Sequence, residues 1–97
     1  SDQKRAQEKS GAAGKILALF DCAMATQNIL LRAYDLGLGS CVIRSFNQAA
    51  VQEILSVPHY LTPELLITLG YPVTSPTPPK KRDNVFFWEE YGKGEYV

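Results

Sequence analysis

Few side chains in this sequence have the types and spacing that chemistry requires, and the first candidates are two glycines. Gly37 and Gly39 stand one residue apart in "LGLGSCVIRSF", residues 36 to 46. A Gly-x-Gly can open a dinucleotide-binding fingerprint, but that motif needs a strand before it, a helix after it and a third glycine at position 42. Position 42 is Val, and the flanking patterns come in the opposite order, helix first and strand second. The fingerprint is excluded. A second candidate is the basic run Lys80, Lys81 and Arg82, which suits a phosphate because Arg binds its oxygens in a bidentate way and Lys adds a point charge. Taken alone, the run reads as a solvated basic turn.

His59, the only histidine, lies beside Pro58, and nothing in the sequence places Cys22 or Cys41 near it as a nucleophile. The two cysteines fit neither a CxxC nor a metal-ligand spacing. They read best as buried free thiols in a reducing cytosol, with a disulfide as the alternative. No carboxylate pair and no metal-ligand cluster stands out, and no metal site is expected.

These residues must be positioned by a small number of elements. Residues 1–14 are polar and end in "GAAG", which reads as a leader that is helical, frayed or partly disordered. From Ala13 to Leu38 the pattern turns helical, with apolar residues on more than one face. Such a helix is either central in a large core or sandwiched between a core and a partner chain, and 97 residues are too few to surround it, which favours a subunit interface. Gly37 or Gly39 can end this helix in a left-handed conformation. "SCVIRS" then reads as a buried strand, and "SFNQ" as a capping box with Ser45 as N-cap and Gln48 reaching back. A short helix follows with Phe46, Ala50, Val51, Ile54 and Leu55 on one face. "PELLITLGYP" is a second strand, expected inside a sheet. Pro76, Pro78 and Pro79 enforce an extended linker, and the tail carries Phe86, Phe87, Trp88, Tyr91 and Tyr96, an aromatic arm suited to docking at a distance.

Composition narrows the classes. Hydrophobic residues make up 45% and charged residues 21%, an ordinary globular balance. Ten basic residues offset ten acidic ones, which argues against a nucleic-acid or anionic-membrane partner. The apolar stretch Ile16–Leu38 is interrupted by Asp21, Gln27, Asn28, Arg32 and Asp35, so it is not expected to span a membrane. The first ten residues lack the apolar core of a signal peptide, and a cytoplasmic location is expected.

The ordered string "TQNILLRAYDLGLGSC", "VIRSF", "EIL", "LITLGYP" and "PPKKR" resembles the C-terminal half of the nitroreductase family, FMN-dependent NAD(P)H oxidoreductases, over about residues 15–92. "QNILLRAYDLGLGSC" and "LLITLGYP" are the most specific parts. The resemblance implies a partial nitroreductase-like α+β fold with a long interface helix and short buried strands. It divides the chain into a leader or remnant of a preceding segment (1–14), the C-terminal part of the domain (15–72), and a linker with aromatic arm (73–97). It also implies a homodimer formed through helix 15–38 and the arm, with flavins bound across the interface.

In that frame Val42 and Ile43 pack near the flavin ring, and the backbone at Arg44 and Ser45 offers hydrogen bonds to its N5 and O4 edge. Many relatives have Gly where Ser45 stands, a mild departure. Lys80 and Arg82 would meet the FMN phosphate, with Lys81 left at the surface. NAD(P)H would be the cosubstrate and a small molecule such as a nitroaromatic or quinone the acceptor. The family's N-terminal half, with its Arg-Arg-Ser-x-Arg type phosphate motif, has no counterpart. The chain therefore reads as one portion of such an enzyme, the alternative being a truncated, non-catalytic dimerisation or flavin-binding module.

Overall fold

Helix signals and turn chemistry lay out the chain in six short elements. The structure is a computed structural model in which residues 1–83 and 85–92 are described; Tyr96 lies outside them. Helix α1 (Gln3–Ser10) leads through one 3-10 turn (Gly11–Ala13) into helix α2 (Gly14–Asp35). Strand β1 (Gly39–Ile43), helix α3 (Gln48–Ile54) and strand β2 (Leu66–Gly70) follow. This is the α+β mix that the sequence implies.

Asp2 caps α1 by accepting the Arg5 backbone N–H at 2.9 Å, which satisfies one of the free donors of the first turn. Gly11, at φ +64°, breaks the helical run, and α1 packs back against α2. The approach is close enough that a Cβ on Gly14 would lie 2.3 Å from the Ala6 carbonyl oxygen. Only glycine permits it.

Helix α2 is inside out. Its buried residues are the small ones, Gly14, Ala18, Thr26 and Ala33, at spacings that place them on one face. The large apolar residues Ile16, Phe20, Met24, Leu31 and Tyr34 lie on the opposite face and are exposed, Tyr34 by 84%. Thr26 fits the inner face because its hydroxyl donates to the Cys22 carbonyl at 2.7 Å. By length and composition the helical stretch Gln3–Asp35 is long and apolar enough to cross a membrane.

The end of α2 resolves the choice between the two glycines. Gly37, at φ +76°, follows the C-cap Leu36. Its N–H donates to the Tyr34 carbonyl at 3.0 Å, and the Leu38 N–H donates to that of Ala33 at 2.8 Å. These are the two bonds of a Schellman motif. Gly39 instead starts β1.

Strands β1 and β2 pair antiparallel from Gly39 opposite Gly70 to Ile43 opposite Leu66. They form a two-stranded sheet, so each has an outer edge without a strand neighbour among the described residues. The strands expected to be buried are not buried on this chain: Ser40, Cys41 and Val42 are exposed. A ribbon of two strands beside one helix has too little protein around it to cover both faces. The expectation of two buried thiols needs the same correction, since both cysteines are free but Cys41 is exposed and Cys22 half-buried.

The cap of α3 also differs from the sequence reading. Asn47, with extended backbone, accepts the Ala50 N–H at 3.0 Å, while Gln48 uses its side chain to reach the Pro63 carbonyl at 3.0 Å. Asn47 displaces Ser45 because it directly precedes the first helical turn, the position from which a side-chain oxygen meets the third residue's N–H. The far end of α3 repeats the Schellman pattern with Ser56 at φ +53° and the Val57 N–H bonded to the Gln52 carbonyl at 2.8 Å.

Beyond β2 the stretch Tyr71–Asp83 is exposed and without helix or strand, as its prolines dictate. In the arm, Phe87 and Tyr91 stack edge to face with centroids 5.1 Å apart, and Phe86, Trp88 and Tyr91 are exposed. The radius of gyration is 18.2 Å, against about 12.5 Å for a compact chain of this length. The accessible surface is 8398 Å², where a compact protein of this mass shows about 5,500 Å².

Candidate functional site

The residues at the end of β1 form the best-defined candidate site. Val42 and Ile43 are its last two positions, held by register opposite Ile67 and Leu66. Arg44 and Ser45 follow directly, both exposed. The chain then folds on itself, with the Phe46 N–H donating to the Arg44 carbonyl at 3.2 Å. The Ser45 backbone N–H donates to no group among the described residues. A free amide beside an apolar strand end is a donor that fits the polar edge of a flavin ring, with its apolar body against the end of β1, where Val42 and Ile43 present side chains to opposite faces.

Lys80 and Arg82 lie on the exposed stretch after Pro79 and form no salt bridge or hydrogen bond with described residues. As free cations they fit a phosphate chemically. The structure thus brings Val42, Ile43, Arg44 and Ser45 together by their succession along one strand end and leaves Lys80 and Arg82 on a separate exposed strut. A second feature is an apolar hollow of about 330 Å³ where α2 ends above β2, lined by Ile29, Ala33, Leu36, Leu38 and Leu69 with Asn28 and Arg32. Arg32 is occupied there by a salt bridge to Asp35 at 2.5 Å.

Sequence reasoning missed a buried carboxylate. Glu64 is only 6% exposed and accepts hydrogen bonds from the Ser1 hydroxyl at 2.9 Å and the Gln3 amide at 3.2 Å. Its place just ahead of the apolar run of β2 was the available signal, since a charge adjoining a core strand needs partners. Gln52 was missed too; its amide donates to the Leu61 carbonyl at 2.8 Å.

Fold and strand end together define an α+β unit with a ligand-accessible donor beside an apolar strand. The sequence profile of the nitroreductase family matches residues 1–71, and the chain belongs to that family. The match begins at residue 1, so the Gln3–Ser10 helix lies inside it, and it stops before Lys80 and Arg82. A protein of Methanothermobacter thermautotrophicus, provisionally named an NADH dehydrogenase/NAD(P)H nitroreductase, is 37% identical over 60 residues, covering 58% of this chain and 31% of that protein. A second of the same provisional name, from Archaeoglobus fulgidus, is 39% identical over 56 residues, covering 54% of this chain and 32% of that protein. The matched stretch spans about a third of the length of these relatives.

Proposed function

We propose that this chain is the C-terminal portion of an FMN-dependent, nitroreductase-like oxidoreductase that passes hydride from NAD(P)H through flavin to a nitroaromatic, quinone or similar acceptor. The observation that carries the reading is the free Ser45 amide at the end of β1, within the stretch matched by the family profile. FMN, when bound, supplies the hydride chemistry. This chain's residues supply position: Val42 and Ile43 give the ring an apolar seat, and the Ser45 N–H orients its N5 and O4 edge. Lys80 and Arg82 hold the phosphate. No acidic or basic side chain of the chain is assigned to the reaction itself.

The same reading makes the chain a cytoplasmic homodimer through α2 and the aromatic arm. Its surface exceeds that of a compact protein by roughly 2,900 Å², several times the ~800 Å² per partner of a standard interface. On this reading the apolar face of α2 is assigned to protein and not to lipid, and the chain is expected not to float with phosphatidylcholine vesicles. A second reading, a non-catalytic dimerisation or flavin-binding module, draws on the match to only about a third of its relatives' length.

The test is an FMN titration of the chain followed by flavin fluorescence, beside a Lys80→Ala, Arg82→Ala variant, then NAD(P)H oxidation with and without acceptor. Binding that the double variant weakens, with turnover, supports the enzyme. Binding without turnover favours the module, and no binding by the unaltered chain rejects the flavin site.

A further inference from the structure

We propose that Glu64 is a positioning residue for the Arg44–Ser45 turn, a role that rests on the flavin reading above. The last pair of the ladder is Ile43 with Leu66. Glu64 stands two residues before Leu66, and Ser45 two residues after Ile43, so the buried carboxylate and the free amide flank the same end of the ladder. The segment around Glu64 is held from two sides. From the N-terminal side, Asp2 forms an isolated antiparallel bridge with Leu61, the Thr62 N–H donates to the Ser1 carbonyl at 2.8 Å, and Ser1 and Gln3 both donate to Oε1 of Glu64. From the α3 side, Gln48 and Gln52 donate to the carbonyls of Pro63 and Leu61.

A carboxylate that is 6% exposed is costly to bury without donors. Its retention directly ahead of β2 makes sense if it pins the chain where a small slip would move the opposite strand end. A two-stranded ribbon of five residues a side, exposed at residues 40–42 and 68–70, has little of its own to fix its ends. Here the side-chain ties to residues 61–64 supply what the ribbon lacks. Glu64 acts through the backbone it fixes, touching neither cofactor nor substrate.

The experiment compares Glu64→Ala and Glu64→Gln in the full 97-residue chain by residue-resolved amide hydrogen exchange, with FMN titration alongside. A carboxamide oxygen can still accept from Ser1 and Gln3, whereas alanine cannot. Glu64→Ala is expected to speed exchange about tenfold at the Ile43 and Leu66 end of the ladder, the scale of one charge-assisted hydrogen bond. The Gly39 and Gly70 end should stay within about twofold. FMN affinity should fall in the same variant, and Glu64→Gln should resemble the unaltered chain in both readouts. If Glu64→Ala does not fold, Gln3→Met, which removes one donor, is expected to give the same one-ended pattern at smaller amplitude.

Equal acceleration at both ends, or none at either, would overturn the proposal, because a role confined to holding α1 predicts no end preference. A one-ended change with unaltered FMN affinity would also overturn it. If the unaltered chain binds no FMN, the flavin reading fails and this role with it, an outcome that unaltered protein alone reveals and that no Glu64 variant can mimic.

Discussion

The two faces of α2 obey opposite packing rules. Inward, Gly14, Ala18, Thr26 and Ala33 are small and buried, which lets backbone approach backbone. Outward, Phe20, Met24, Leu31 and Tyr34 are large, apolar and exposed. In a self-sufficient domain the large side chains go inside, where each contributes about 1.5–3 kcal/mol by burial. The contrast teaches that α2 leaves its hydrophobic area uncovered by the described residues. Its inner face is a spacer for close approach.

Charging the outer face should have the largest effect. A Met24→Glu, Leu31→Glu variant is expected to abolish self-association at concentrations more than a hundredfold above the unaltered dissociation constant, since uncompensated charge buried at an interface costs several kcal/mol. Sedimentation velocity reads it, and persistence of the dimer would break the comparison. On the inner face, Gly14→Val puts a side chain into the Ala6 carbonyl and should cost about 2–3 kcal/mol of stability, measured by urea denaturation without loss of association. Gly37→Ala keeps both faces intact but forces a Cβ into the left-handed turn, an expected loss of about 1 kcal/mol. The smallest effect runs the other way: Ser56→Gly relieves the same strain at the end of α3 and should raise stability by about 0.5–1 kcal/mol.

Much of this architecture was legible from residue types. The glycine pair after "RAYDL" announced the end of α2 because only glycine sits in the left-handed region without penalty, and the structure gives that place to Gly37. The prolines of 76–79 announced an extended strut. The all-round apolar character of α2 was visible in its periodicity, yet which face would be covered was not, since that depends on α1 folding back through Gly11. The cap of α3 was placed two residues early because Ser45 and Gln48 formed a familiar spacing while Asn47 had the backbone to do the work.

Of the candidate site, Val42 to Ser45 fell at one strand end because four consecutive residues cannot be far apart. Lys80 and Arg82 were assigned through the family resemblance, and their relation to that strand end is what the double variant probes. Glu64 escaped notice because its partners lie more than sixty positions away in sequence. The local pattern marks a charge ahead of the apolar run of β2 but carries no trace of which residues satisfy it.

The proline strut has a consequence for association rates. Eleven residues from Pro72 to Arg82, if fully extended in a polyproline-like form, reach about 34 Å, close to the roughly 33 Å length of the 22-residue α2. An arm on such a tether searches a small volume at an effective concentration in the millimolar range. On the homodimer reading proposed above, once two copies met through α2, capture of the arm would become an intramolecular step, and separation would require both contacts to open at once. The strut would therefore slow dissociation far more than it speeds encounter, turning two weak contacts into one long-lived complex.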